Sequence, residues 1–262
     1  MCLFFSPTIT SGAFEKLETG AASIAMGNAM VAVQNNSHAI YYNPASISVS
    51  GKMQVAFTYQ NFYEIGELNQ VDITTNFLLG GHAFSAAVNR YGIPDYQEFQ
   101  FTIGSNYNIA QDFEIGLSAQ YYILSISEHG REQTWGINIS FFYQFLSDLS
   151  IGAISTNLNQ PEISKANEKL PQTMSLGLCY YPMEYMIISF ELHRDIRFSP
   201  EYRAGFSYDL TSSFGIRAGI ENNIETFSIG FGVKTAWACS DYAVKVHPIL
   251  GVSHILTIQI NL

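Results

Sequence analysis

The chain is short of charge, short of cysteine and without a long apolar run, and each shortage excludes something. Asp, Glu, Lys and Arg make up 13% of its 262 residues, about half the share usual in soluble domains. A water-facing surface needs those charges for solubility, so an ordinary soluble domain is disfavoured. Cations are scarcest: 12 Lys plus Arg stand against 22 Asp plus Glu, a formal net charge of −10. Phosphate backbones are gripped by clustered Lys and Arg. No such cluster is present, which argues against nucleic acid as a partner. The three cysteines, Cys2, Cys179 and Cys239, have no CxxC spacing. They suit neither a zinc site nor a disulfide framework, and leave a single Cys179–Cys239 bridge as the one pairing open. No window of ~18 consecutive apolar residues occurs, so no helix of this chain spans a membrane.

What is there is apolar and aromatic. Hydrophobic residues form 47% of the chain, with 19 Phe and 16 Tyr. From Gly51 to Leu262, segments of ~9–14 residues alternate apolar with polar, the length a tilted strand needs to cross a hydrocarbon layer. Phe227, Ile229, Phe231 and Val233 alternate with Thr226, Ser228, Gly230, Gly232 and Lys234. Phe214, Ile216, Ala218 and Ile220 do so with Gly215, Arg217, Gly219 and Glu221. Successive strand side chains point to opposite faces, so each segment has one greasy wall and one wet wall. About fourteen such segments are predicted, near 52–63, 70–79, 82–91, 98–109, 113–126, 132–145, 149–157, 171–181, 185–194, 201–210, 213–222, 226–236, 241–249 and 254–262. Short connections such as Gly80-Gly81 and Thr211-Ser212-Ser213 alternate with longer ones at 64–69, 92–97, 157–170 and 195–200. A membrane barrel is built this way, with short turns inside and longer loops outside.

Size decides which wall faces out. A soluble barrel turns its apolar set inward, but roughly fourteen strands enclose a lumen too wide for single side chains to fill. The polar sets are rich in Gly, Ser, Thr, Asn and Gln rather than Lys and Glu. The sequence therefore predicts an all-β fold, a closed antiparallel transmembrane β-barrel of about fourteen strands in the cell outer membrane. Trp135, Tyr143, Phe145, Tyr180, Tyr202, Tyr208 and Trp237 fall near strand ends, where aromatic girdles sit.

Residues 1–13 read as the remnant of a secretory signal, with Ser11-Gly12-Ala13 as the small residues before a cleavage site. Residues 14–50 do not alternate and 51–262 form the barrel. The run from Gly20 to Asn28 is small and Gly-rich, and Asn43-Pro44 marks a turn. A compact element of this size suits a plug in the barrel mouth. The runs Gly20–Asn28, Ala29-Met30-Val31-Ala32-Val33 and Tyr42-Asn43-Pro44-Ala45-Ser46 resemble the N-terminal signature of FadL-like outer-membrane proteins, closest to the PorV/PorQ-type branch. Asn28, Asn35-Asn36 and Ser46 depart from that signature, which has Gly, an acidic pair and Gly in their places. The resemblance implies a fourteen-stranded barrel with an N-terminal hatch inside the lumen, its motif residues being Gly20, Met26, Gly27, Asn43, Pro44 and Ala45.

No catalytic constellation emerges, and the chain is not read as an enzyme. Glu191, His193 and Asp195 share a face, yet no second His lies at a metal-ligand spacing. There is no GxSxG elbow, and the Gly-rich run lacks the strand and Lys of a P-loop, so neither metal nor cofactor is expected. Charges on predicted lumen positions are Glu191, Arg203, Asp209, Arg217, Glu221 and Lys234. Interior charges of a barrel usually pair across strands or with a plug, so these are expected to be salt bridges that hold the hatch, the alternative being a polar pathway that opens when the hatch moves.

Two functions follow from the resemblance. One is passage of a hydrophobic small molecule through a hatch-gated lumen. The other is a non-transporting barrel that docks as an accessory subunit of type IX secretion or surface assembly. Both make outer-membrane lipid the surrounding partner. On fractionation, the chain should be recovered with the outer membrane and need detergent for release. Recovery in a detergent-free periplasmic supernatant would instead mean a soluble β-protein with its apolar faces inward.

Overall fold

The computed structural model describes residues 12–15, 18–49, 51–163, 168–222 and 225–262. Most of the expected signal remnant, residues 1–11, lies outside that set. Fourteen strands form the wall. They are β1 (Met53–Asn61), β2 (Asn69–Leu79), β3 (His82–Ile93), β4 (Tyr96–Ala110), β5 (Phe113–Ile126), β6 (Gly130–Leu146) and β7 (Leu149–Ser155), then β10 (Thr173–Met183), β11 (Met186–Asp195), β12 (Glu201–Thr211), β13 (Phe214–Glu221), β14 (Thr226–Lys234), β15 (Ala238–His247) and β16 (Gly251–Asn261). Between β7 and β10 the chain makes a small hairpin of β8 (Glu162–Ile163) and β9 (Glu168–Lys169).

Each wall strand pairs antiparallel with its neighbours, and the terminal strand β16 returns to β1 to close the barrel. The closing register sets Val55 opposite Ile260, Phe57 opposite Ile258 and Tyr59 opposite Leu256. The two chain ends of the wall meet there, with Met53 N donating to Leu262 O at 3.1 Å and Leu262 N to Met53 O at 2.8 Å. Both ends therefore lie at one rim, called the inner rim below, as an even strand number requires.

The alternation resolves as lipid-out and polar-in. On β14, Phe227 and Ile229 are 45% and 48% exposed while Ser228 between them is 1% exposed. Ile216 and Ile220 of β13 stand opposite Phe231 and Phe227 of β14 and share their outer face. The intervening Arg217 and Glu221 are buried inside. So much exposed apolar surface, wrapped around a closed wall with no free edge, is the outer face of an outer-membrane barrel.

Turn chemistry fixes the inner rim. Gly80 and Gly81 have φ of 60° and 84°, the left-handed pair that a two-residue hairpin of matching twist demands. The outer rim is tighter than the sequence predicts. The expected 92–97 loop is only Pro94-Asp95, because Gly92 pairs with Gln97 and Ile93 with Tyr96, so both strands run on beyond the expected membrane span. The outer connection at 156–172 carries the paired β8 and β9 and buries Ile163 and Leu170. The Cys179–Cys239 bridge is absent: both thiols are free, on the non-adjacent strands β10 and β15.

Residues 18–47, ahead of β1, lie within the barrel. A short helix α1 (Ala21–Ala25) packs against β13, β14, β15 and β16. A second, α2 (Ala39–Tyr42), and the 3-10 turn Pro44–Ser46 reach β3, β4, β5 and β6 on the other side. Ala, Ser and Gly make this fit possible, since they let two backbones approach closely. A mid-strand outward charge should be costly in such a wall: Ile229→Arg is expected to lower folding free energy in lipid vesicles by about 2–4 kcal/mol. Denaturant titration of vesicle-embedded protein measures this, and an unchanged midpoint would contradict an outward-facing Ile229.

Candidate functional site

The candidate site is the lumen where residues 18–47 meet the wall. Its local geometry begins with Asn43-Pro44-Ala45. Pro44 opens the 3-10 turn, where its fixed φ suits the first position and its missing N–H goes unneeded. Asn43 caps that turn by accepting from Ala45 N at 3.0 Å. The same side chain donates to Val31 O at 2.6 Å and to the wall at Phe141 O, 3.0 Å. Ala45 N also donates to Ser140 Oγ at 2.9 Å, and Asn106 Nδ2 donates to Ile47 O at 3.0 Å. This side of the segment is thus held by neutral amide and hydroxyl groups.

The opposite side is held by charge. Glu191 Oε2 accepts from both Met30 N and Val31 N at 3.0 Å, so one carboxylate oxygen satisfies two adjacent backbone donors. Its other oxygen lies 3.5 Å from Arg203, which also meets Glu201 at 3.2 Å. Asn28 Nδ2 donates to Glu221 Oε1 at 3.1 Å. Lys245 bridges Glu221 at 2.7 Å and Glu18 at 2.5 Å, tying the segment to β13 and β15 together. A third anchor is Asp72 on β2, which accepts from Tyr41 OH at 2.6 Å and lies 3.4 Å from His38. Burial, and then the adjacent Asp72, push the Tyr41 phenol well above its ordinary value, so it remains a hydrogen-bond donor. Burial does the same for Tyr42, whose hydroxyl sits 2.9 Å from both Asn28 Oδ1 and Thr19 O.

Close approach accounts for glycine in the wet walls. A Cβ on Gly219 would fall 2.0 Å from Gly27 N, and one on Gly116 would fall 2.1 Å from Ala45 N. Any side chain at either place would displace the segment's backbone.

The six predicted lumen charges divide into two groups. Glu191, Arg203 and Glu221 gather about the N-terminal segment. Arg217, Asp209 and Lys234 do not hold it; they lie on its inner side and pair within the wall, Arg217 with Asp241 at 2.5 Å and Lys234 with Asp209 at 2.6 Å. Glu191, His193 and Asp195 do not converge, since Glu191 serves the segment and His193 Nδ1 meets Ser175 Oγ at 2.8 Å. Sequence reasoning missed Lys245, Glu18, Asp72 and Asp241. The signal for the three wall residues was present, because the polar phase of their strands places them inside with the rest.

Two cavities flank the segment. The outer one, about 230 Å³, is bounded by Asn28 and Tyr42 below and by Asn157, Asp195 and Glu201 near the outer rim. The inner one, about 800 Å³, runs from Met26 and Met30 to the turn residues Ser147, Glu184 and Thr235. The arrangement is a polar-lined barrel blocked midway by its own N-terminal residues.

No family model matches the sequence, and no curated protein does. Solved structures match in fold. The toluene transporter TodX of Pseudomonas putida superposes with a TM-score of 0.69 at 12% identity, covering 95% of this chain and 98% of that one. The toluene transporter TbuX of Ralstonia pickettii gives 0.67 at 12% identity, with 93% and 98% covered. A Pseudomonas aeruginosa FadL homologue gives 0.61 at 9% identity, with 92% and 97% covered. The fold of this chain is accordingly that of FadL-type outer-membrane barrels.

The Glu191 anchor can be tested directly. Glu191→Ala leaves two buried backbone donors without their acceptor and Arg203 with Glu201 still beside it, and removing one partner of a buried pair costs about 3–5 kcal/mol. Hydrogen exchange at the Met30 and Val31 amides should accelerate sharply in Glu191→Ala. Unchanged protection of those two amides would show that Glu191 does not hold the segment.

Proposed function

We propose that the chain passes small hydrophobic molecules across the outer membrane, with residues 14–50 acting as a hatch. The observation that carries this reading is the N-terminal segment seated between two cavities, held to the wall by buried hydrogen bonds and ion pairs and by small apolar clusters rather than by one continuous core. A buried ion pair adds little net stability over an apolar contact, so the charged side of the seat is the side that opens. The motif residues Gly20, Met26, Gly27, Asn43, Pro44 and Ala45 serve as the seat: Gly27 where segment and wall backbones touch, Gly20 with its φ of 86° against the His38 ring, Asn43 as the clamp between segment and wall. Glu191, Arg203 and Glu221 are the charged catch on the other side. Arg217, Asp209 and Lys234 line the exit vestibule. The matching structures include toluene transporters, which supports a hydrophobic passenger. The docking role in type IX secretion gains no support from the fold or from these matches.

A reversible tether tests the hatch. An ideal Cβ on Gly230 lies 2.7 Å from Ala25 Cβ and 2.6 Å from Tyr242 O, so an Ala25→Cys/Gly230→Cys pair in a background with the native cysteines replaced bridges once segment and wall give by about 1 Å, and assembly of the reduced pair in the outer membrane is verified first. Cells lacking other hydrocarbon channels should take up labelled toluene through the reduced form and lose that uptake on oxidation. Equal uptake in both redox states would overturn gating by this segment.

A further inference from the structure

The lipid-facing phase of the wall carries a formal charge at three of its described strand positions: Arg90 in β3, Arg131 in β6 and Arg194 in β11. Arg90 shares its phase with the exposed Val88, Arg131 with Trp135 and Ile137, and Arg194 with Phe190 and Leu192. All three are arginine, and all three stand at the outer end of their strand. The inward phase is mostly acidic, with Asp72, Glu191, Glu221 and Asp241 buried there. The whole chain holds 22 Asp plus Glu against 12 Lys plus Arg, yet no described carboxylate occupies a lipid-facing strand position. Both the sign of the outward charge and the rim that bears it run against the composition.

We propose that Arg90, Arg131 and Arg194 are three separate lipid-phosphate sites, each gripping the phosphate of one headgroup in the outer leaflet. The inference concerns the outside of the wall and does not depend on the hatch reading.

Height, charge balance and donor geometry carry it. An outward arginine is costly at mid-bilayer but nearly free at the interface, where its stem lies along apolar surface and its head reaches the polar layer. Arg131 stands two outward positions beyond Trp135, and Arg194 one beyond Leu192, whose register partner is Tyr202. Such aromatics mark the edge of the hydrocarbon, so the guanidinium groups lie in the headgroup layer. Their charge is uncompensated there. Arg131 and Arg194 form no ion pair with a described residue, and Asp195, next to Arg194, is taken by Arg197 at 2.6 Å. Arg90 is oriented by Asn69 Oδ1 at 2.6 Å, a neutral partner that leaves its charge unmatched. A guanidinium is a planar fork that fits a phosphate through two parallel hydrogen bonds. The three strands are each three steps apart around the wall, about 14 Å at the usual strand spacing, so each arginine meets its own headgroup.

Trp135 reports on the lipid beside Arg131. The chain has 2 Trp, and Trp237→Phe, in the inner turn between β14 and β15, leaves Trp135 alone. This full chain is placed in vesicles of phosphatidylcholine and phosphatidic acid, with one or the other lipid brominated to quench Trp135 fluorescence. Phosphatidic acid should be preferred by about fivefold, the advantage one interfacial arginine gives an anionic headgroup. Arg131→Gln should bring the two lipids near parity, while Arg90→Gln and Arg194→Gln, remote from Trp135, should change nothing. In a background without native Trp, Phe99→Trp, whose register partner is Arg90, and Tyr202→Trp read the other two sites in the same way. Equal quenching by both lipids, or a preference that survives loss of the adjacent arginine, would overturn the proposal. So would an equal loss at every reporter from any one variant, which would trace the preference to overall charge. Inorganic phosphate in millimolar excess should leave the preference intact. If it abolished the preference, the ligand would be the free anion and not the headgroup.

Discussion

The rest of the structure depends on one constraint: in hydrocarbon, a backbone N–H or C=O has no water to fall back on. Each unpaired group there costs several kcal/mol. The pairing of β16 with β1 is what discharges that cost, because it removes the last two edges of the sheet. Once closure is obligatory, the greasy half of every strand can face lipid. The low charge of the chain then becomes a property of its solvent rather than an anomaly.

Closure at fourteen strands creates a second problem, a lumen that wall side chains cannot fill. The chain answers it with its own N-terminal residues. The seat combines polar contacts of two kinds with small apolar clusters. On β4, β5 and β6 it is glycine, serine and asparagine, which allow backbone contact and neutral hydrogen bonds. On β11, β12, β13 and β15 it is a network of carboxylates and two cations, Arg203 and Lys245. A buried ion pair adds little net stability over an apolar contact, since desolvation offsets much of the attraction.

How much of this was legible in the sequence follows from the range of each interaction. The strands, their number and their outward faces were readable because alternation is a local property: Phe227, Ser228 and Ile229 declare their faces from three consecutive residues. The turn at Pro94-Asp95 was misread for the same reason. Gly92 and Pro94 look like loop locally, while the pairing of Ile93 with Tyr96 depends on strands that continue past the membrane. Glu191, Arg203 and Glu221 could be assigned to the lumen from their phase, but not to partners. Glu18 and Lys245 are 227 residues apart, and Ala21 and Thr257 are 236 apart, so only closure of the barrel brings them within reach. The amino-acid order by itself determined which atoms face lipid and which face inward, because that choice is made residue by residue. Only the tertiary structure decided what fills the lumen and which charges hold it, because those contacts exist only once the first strand has met the last.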